Sequence, residues 1–387
     1  MIRIAHLSDS HFDERGRLAD VVAVHAAFLD QALAEHVDLI VHAGDWYERR
    51  STPAERSAVA DFLQAASRVA PVFGVKGNHD QPGDLDILPR LDSPDNPVEI
   101  VDRPGIYGSG HHRIEVCAIP WFDKAHVAAL LPADAGAEAA RLTTIQAAGL
   151  LLDSLRAQIA AAQASGPVIV VGHLMVAGSE TSTGQVIQGI TVELSPADLH
   201  DLGASYVALG HVHKAQEWFG GRVAYSGSPH RCNFGEPEAK GWRLVTLEDD
   251  GTFVSNEFRE LPARRMVRLE KDWRESVGQG EAIASPAELD AMKDALVRWR
   301  VQIRAQDLQH LDRGLVERFL IGAGAAEVQV EAVVEAQERA RAPELARATT
   351  TADKVRAYIG SRGLDVEVDR VLGKVAELER EAGNAAS

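Results

Sequence analysis

Gly77-Asn78-His79-Asp80 follows directly on the apolar run Val69-Ala70-Pro71-Val72-Phe73-Gly74-Val75, and the reading of that junction decides the fold. The run has the length and valine/phenylalanine content of a strand buried on both faces, as in a parallel sheet. Its end delivers an amide, an imidazole and a carboxylate in consecutive positions. Amide oxygen and imidazole nitrogen ligate hard-to-borderline divalent metals, and an imidazole beside a carboxylate can move a proton. Alone, the tetrapeptide is equally ordinary turn chemistry. What decides between the two is whether other apolar runs end in the same way.

Four others do. Ile2 to Leu7 leads into Ser8-Asp9-Ser10-His11, and Asp9 and His11, at i and i+2, project to one side of an extended backbone. Leu39-Ile40-Val41 ends in His42-Ala43-Gly44-Asp45, where Gly44 lets the chain turn and bring Asp45 beside the end of the first strand. Pro167 to Val171 ends in Gly172-His173, and Ser205 to Leu209 ends in Gly210-His211-Val212-His213. In open α/β sheets ligands bind where the carboxyl ends of strands converge. Single histidines are more often structural, and His42 reads as one facing the core or a sheet neighbour. A D-x-H triplet also arises about once by chance in a chain of ordinary composition. Asp198-Leu199-His200 is such a decoy, in a polar helical segment after Ser195-Pro196. Five clusters phased to strand ends are not explained by scattered core histidines.

Between the runs, helices are expected over Asp20 to His36, Pro53 to Arg68 and Thr144 to Gln163, giving a βαβαβ rhythm with parallel strands. Gln81 to Pro97 reads as loop, and Ala125 to Ala140 is Ala-rich and weakly patterned. Arg49 and Arg50 stand in a loop where they could meet phosphate, although exposed arginines usually contact water. Further strands are expected at Arg113 to Ile119, Arg222 to Tyr225, Trp242 to Leu247 and Thr252 to Phe258, with a turn at Glu248-Asp249-Asp250-Gly251. A composition change at Leu261-Pro262 suggests a boundary. Domains are therefore expected at 1–262, at 263–342 as a small α+β unit, and at 343–387 as a charged helical tail. In that tail Val368, Val371, Leu372, Val375 and Leu378 form an apolar stripe, fit either to pack on its own domain or to dock a partner.

Composition sets bounds. The 387 residues, 45% hydrophobic and 25% charged, suit a soluble globular protein of two or three domains. No apolar stretch approaches the roughly 18 residues of a membrane span, and the first residues show no signal-peptide pattern. Cys117 and Cys232 form no paired motif, which fits a reducing cytoplasm. A formal net charge of −17 argues against nucleic-acid binding by charge alone. It leaves a nuclease open, because bound cations or a partner's basic groove can reverse the local field.

Collected, the candidate ligands are Asp9, His11, Asp45, Asn78, His173, His211 and His213. They are too many for one tetrahedral zinc and suit two ions sharing a carboxylate. Asp, Asn and His without cysteine favour manganese, iron or zinc. His79 is left over to protonate a leaving oxygen, with Asp80 as its orienter. The chemistry implied is metal-assisted hydrolysis of a phosphoester.

These five blocks, in this order, resemble the calcineurin-like metallophosphoesterases. The stretch Gly210-His211-Val212-His213-Lys214, with Tyr225-Ser226-Gly227-Ser228-Pro229, Phe234-Gly235-Glu236 and Lys240-Gly241, is similar to bacterial SbcD nucleases over residues 1 to about 260. The resemblance implies a four-layer α/β/β/α sandwich with a C-terminal capping domain. One manganese would be held by Asp9, His11, Asp45 and His213, the other by Asp45, Asn78, His173 and His211, with His79 catalytic. It also implies DNA as substrate, an SbcC-type ATPase bound by the C-terminal helices, and a homodimer. The departures lie in the Glu48-Arg49-Arg50 loop, the Ala-rich insert and the last 120 or so residues. A small-molecule or nucleotide phosphodiesterase and a non-catalytic scaffold are the competing readings; the region beyond residue 262 favours the nuclease over the first, and the intact ligand positions speak against the second.

Overall fold

β1 (Ile2–Leu7) is the hub, buried almost throughout and paired along both edges. A computed structural model describes residues 1–387 except 16, 92–95, 110–113, 123–143, 183–192, 274–282, 336–347, 365 and 386–387, so the Ala-rich segment 125–140 lies outside the described residues. On one side β1 runs parallel to β2 (Leu39–His42), with Leu7 opposite His42. On the other it runs antiparallel to β13 (Gly241–Leu247). β3 (Val72–Val75) and β4 (Val98–Val101) extend the sheet in parallel beyond β2, and β14 (Phe253–Glu260) closes the far edge beyond β13. The crossover helices are α1 (Leu18–Ala34) and α2 (Pro53–Val69). α2 begins on a reciprocal cap: Thr52 accepts from the Glu55 backbone N–H, Glu55 accepts from that of Thr52, and Pro53 opens the first turn.

The second sheet has the order β11 (Gln216–Trp218), β12 (Val223–Tyr225), β10 (Tyr206–Gly210), β7 (Val168–His173), β6 (Glu115–Ile119), β5 (Gly105–Gly108). Helices α3 (Thr144–Ala162) and α4 (Pro196–His200) accompany it. β8 (Met175–Val176) and β9 (Glu193–Leu194) make a minor pair.

Three apolar clusters bind these pieces. Val24, Phe28, Val59, Phe62 and Leu63 of the first two helices pack with Ala5, Leu7, Ile40 and Leu244 of the first sheet. Leu151, Leu155 and Leu199 pack with Val168, Val170, Val207 and Val223 of the second. Ile4, Leu39, Val41 and Phe73 meet Val116, Ile169, Val171 and Tyr206, one sheet's inner face against the other's. Each fully buried side chain of this kind contributes about 1.5–3 kcal/mol. His6 crosses the same interface, its Nδ1 2.8 Å from the Tyr206 hydroxyl and its Nε2 3.1 Å from the Leu209 carbonyl. The mixed α/β class expected from the sequence is the one the chain adopts.

β15 (Met266–Asp272), β16 (Leu296–Ile303) and β17 (Glu327–Val334) form a three-stranded sheet, with α5 (Pro286–Ala291) and α6 (Arg313–Gly322) between its strands. The chain divides into two compact units. The first contains Met1–Leu269, Ala284–Trp299 and Glu317–Gln329, and the second Glu270–Ile283, Arg300–Val316 and Val330–Ser387. In the second, Arg300 lies beside Glu270 and Glu331, and α7 (Thr351–Arg362) packs on α8 (Val368–Ala385). Val368, Val371, Leu372 and Val375 of the apolar stripe are half-buried, while Leu378 is exposed. β4, β5, β8, β9, β11 and β15 were not anticipated; they are short or half-exposed, so neither a buried run nor a clean alternation announces them.

Candidate metal centre

Five strand ends converge. Asp9 and His11 follow β1, Asp45 follows β2, Asn78 and His79 follow β3, His173 ends β7, and His211 and His213 follow β10. The first two connections are laced together. Asp9, His11 and Phe12 donate their backbone N–H groups to the carbonyls of Gly44, Asp45 and Trp46 at 2.9, 3.1 and 2.9 Å. The backbone here is not extended, contrary to the i/i+2 expectation. Asp9, His11, Asp45 and His211 have φ of 53°, 40°, 56° and 105°. Left-handed conformations cost non-glycine residues about 1–3 kcal/mol each and persist where surroundings over-determine them. Four of the seven such residues among those described are candidate ligands, so the strain is concentrated on the site. Gly44, at φ 93°, passes so close to His173 that a Cβ there would sit 2.4 Å from the imidazole Nδ1.

The buried side chains form two groups that share Asp45. Ligand atoms of Asp9, His11 and Asp45 lie within 4.8 Å of one another, as do those of Asp45, His173 and His211. Asp45 Oδ2 is 3.3 Å from His173 Nε2 and 3.8 Å from His11 Nε2. Asn78 Oδ1 is 2.9 Å from both His173 Nε2 and His211 Nδ1. His213 Nε2 faces His11 Nε2 at 3.1 Å. Asp9 accepts the His211 backbone N–H at 2.9 Å and a 2.6 Å bond from the Ser8 hydroxyl. All seven residues anticipated as ligands thus meet in one place.

Electrostatics tie the groups together. Burial opposes charge on His11, but its bond to Glu48 and the nearby carboxylates of Asp45, Glu48 and Asp9 raise its pKa to about 9. For His173 burial is likewise overcome, by Asp45 above all, and the pKa is raised to about 9. Burial alone would raise the Asp45 carboxyl, yet His173 and His11 hold it well below the usual range. Burial pushes His211 down to about 4, helped by the neighbouring His173. His173 Nδ1 lies 2.7 Å from the Ala43 carbonyl, which only accepts, so Nδ1 carries a proton and Nε2 is the atom left to ligate. The set of two carboxylates, one amide and four imidazoles, all at least half-buried, fits a pair of divalent cations of the manganese-to-zinc class.

The environment of His79 differs from expectation. Its Nδ1 is 2.6 Å from the Glu48 carbonyl, so Glu48 orients the ring. The Asp80 carboxylate accepts instead from the backbone N–H groups of Trp46, Tyr47 and Gly77 at 3.0, 3.1 and 2.8 Å. It clamps two loops together, because backbone donors left unpaired in the interior would cost more than an imidazole contact gains. Burial and the charge of Asp45 lift Asp80 to about 6. Arg49 pairs with Asp13 and lies 3.7 Å from Glu55. His42 stacks on Trp46 at 3.7 Å and contacts the Ser10 hydroxyl, as a core histidine does. Asp198 caps its own helix.

Sequence reasoning missed the support beneath His213. Glu236 Oε1 lies 3.0 Å from His213 Nδ1, and the fully buried Lys240 ammonium sits 2.8 Å from Glu236 Oε2 and from Glu238 Oε1. Phe-Gly-Glu and Lys-Gly carried weight in the sequence only as resemblance. His230, read in the sequence only as part of the loop Ser226 to Lys240, was given no role; its Nε2 donates to the Ser10 carbonyl at 2.8 Å, bracing the Asp9–His11 loop. Trp121 stands beside the site with its ring 5.2 Å from that of His211.

A strained cage of this kind at the carboxyl ends of paired α/β sheets defines a metal-dependent phosphoesterase fold, and a family model described as calcineurin-like phosphoesterase matches residues 2–215. The chain belongs to that family. Among curated relatives, the SbcD component of nuclease SbcCD from Rhodobacter capsulatus is 31% identical over 266 residues, covering 59% of this chain and 62% of that protein. The SbcD component of the Escherichia coli K12 nuclease is 28% identical over 324 residues, 76% of this chain and 74% of that one. An archaeal DNA double-strand break repair protein Mre11, from Sulfurisphaera tokodaii, is 29% identical over 28% of this chain and 33% of its own length. The chain spans less than two thirds of the length of the first of these relatives. A dimetal phosphatase from Danio rerio aligns over 67% of this chain and 98% of its own, at 14% identity and a TM-score of 0.41.

Proposed function

We propose that this chain is a di-metal phosphodiesterase that cuts DNA. The observation that carries the reading is Asp45, one carboxylate common to two buried ligand groups. Asp9, His11, Asp45 and His213 would hold one cation, and Asp45, Asn78, His173 and His211 the other. Two bound cations supply Lewis acidity to a phosphoryl oxygen and a water acidified toward neutrality. The chain's own contribution is placement. Because the Glu48 carbonyl holds a proton on His79 Nδ1, His79 Nε2 is the atom that takes up a second proton and, as imidazolium, passes it to the leaving oxygen. Asp80 keeps the Asn78 loop in register with the Asp45 loop. DNA as substrate is supported by the SbcCD and Mre11 relatives; the oxygen-and-imidazole donor set supports a cation of the manganese, iron or zinc class, of which manganese is the one proposed.

The name SbcCD carried by these relatives supports an SbcC-type ATPase as partner, and a homodimer and a cytoplasmic location are further parts of the proposal. Among the described residues no helix is long and apolar enough to cross a membrane. We assign catalysis to residues 1–262, capping to 263–342 and ATPase docking to 343–387. Metal-free protein should hydrolyse bis(p-nitrophenyl) phosphate and degrade linear duplex DNA on addition of manganese, and chelator should abolish both. Hydrolysis of cyclic nucleotides with DNA untouched would replace the nuclease reading by a nucleotide phosphodiesterase.

A further inference from the structure

We infer that this chain also carries a thiolate-bearing metal position, His11–His213–Cys232, suited to a borderline-soft divalent cation of the zinc class. One ligand atom of each of the three residues lies within 4.8 Å of the others. His11 Nε2 and His213 Nε2 stand 3.1 Å apart. Two nitrogens bound at about 2.0–2.1 Å to one tetrahedral ion lie about 3.3 Å apart, so the imidazoles are already near ligating separation.

Cys232, on the loop after β12, is held by the same group that holds its neighbour. Glu236 Oε2 accepts the Cys232 backbone N–H at 2.9 Å, and Glu236 Oε1 lies 3.0 Å from His213 Nδ1. One carboxylate, itself paired with buried Lys240, therefore sets both the backbone that bears the thiol and the orientation of the imidazole. Outer-shell partners of this kind fix which ring nitrogen ligates.

The donor chemistry separates this position from the two groups that share Asp45 and from His11–Glu48–His79, none of which offers sulfur. Asp9, His11 and Asp45 present oxygen and nitrogen, as do Asp45, His173 and His211. One thiolate with two imidazoles is softer and favours zinc, cobalt or cadmium over manganese. His11 and His213 belong to both arrangements, so a thiophilic ion here competes with manganese for the same imidazoles. The inference rests on the di-metal reading only through those two shared residues.

Cobalt titrated into metal-free protein tests it. Thiolate ligation gives an intense near-ultraviolet charge-transfer band. The chain has two cysteines, so the band should vanish in Cys232→Ser and survive in Cys117→Ser, whose thiol is buried in β6. Zinc should slow alkylation of Cys232 by iodoacetamide at least tenfold, read by mass spectrometry, and manganese should not. A missing band, a band that survives Cys232→Ser, or equal alkylation under both metals would overturn the inference. Manganese-supported hydrolysis by the unaltered protein without the band sinks this position alone; the band without hydrolysis sinks the catalytic reading and leaves this one standing.

Discussion

Replacing Gly77 by alanine adds one carbon where the site has no room. An ideal Cβ at that position falls 2.1 Å from Asp45 Oδ1, 2.3 Å from the Asp45 backbone nitrogen and 2.8 Å from its Cγ. Ordinary contact needs about 1 Å more. Neither loop can yield cheaply. Gly77 N–H is tied to Asp80, whose other oxygen holds Trp46 and Tyr47, and Asp45 Oδ1 accepts the His79 backbone N–H at 2.9 Å. The displacement therefore falls on the Asp45 carboxylate, 3.3 Å from His173 and 3.8 Å from His11. Overpacking of this sort costs about 1–3 kcal/mol, and an error near 1 Å at a reacting centre costs on the order of 100-fold in rate. Gly77→Ala should keep its far-ultraviolet circular dichroism and melt a few degrees lower. Its kcat/KM on the bis-phosphodiester reporter should fall about 100-fold, with weaker manganese binding by calorimetry. Gly149→Ala is the control, since that position in α3 opens on empty space, and it should be neutral or stabilising by up to about 1 kcal/mol. Manganese affinity and turnover within twofold of the parent in Gly77→Ala would refute the argument.

His79→Ala should bind two equivalents of manganese while losing most turnover, because the ring is assigned to proton transfer; metal content that falls with rate would reassign it. Lys240→Met strands the buried Glu236 carboxylate and should destabilise the protein by about 3–5 kcal/mol in urea melts, with Glu236→Gln added to it recovering part of the loss; a change below about 1 kcal/mol contradicts the buried network. Acid should unfold the protein through histidines buried as neutral groups: burial pushes His6 and His230 down to about 3 and His25 down to about 4. Since these folded values lie below the unfolded 6.5, the unfolded chain takes protons first, so the stability contributed by these three residues is complete above about pH 6.5 and declines as pH falls toward 4. Three such groups together cost about 4 kcal/mol per pH unit in that window, and an unchanged urea midpoint between pH 7 and pH 5 would contradict it.

What could be read from the chain beforehand has a physical pattern. Buried parallel strands are continuous apolar runs, so the ends of β1, β2, β3, β7 and β10 declared themselves, and the residues after them were the candidates. Backbone strain did not declare itself. Nothing in the letters of Asp9, His11, Asp45 or His211 signals positive φ, because the conformation is imposed by hydrogen bonds from a neighbouring loop. Asp80 was read through its sequence neighbour His79, whereas its carboxylate turns toward a loop more than thirty residues earlier. Lys240 was quoted only as part of the resemblance, and its role stayed out of sight for a related reason: lysine is almost never fully buried, and only three-dimensional pairing with Glu236 and Glu238 makes it so.

β1 is flanked on one side by β13, which begins at Gly241, while the matched family segment stops at residue 215. A ribosome must therefore release some 240 residues before the first strand acquires its second neighbour. Until then the long edge of β1 is open, a template for mispairing with another nascent chain. A fragment ending where the family match ends would carry every anticipated ligand yet leave the strand leading to Asp9 and His11 uncapped, so such a truncation should collect in inclusion bodies while the full-length chain stays dispersed.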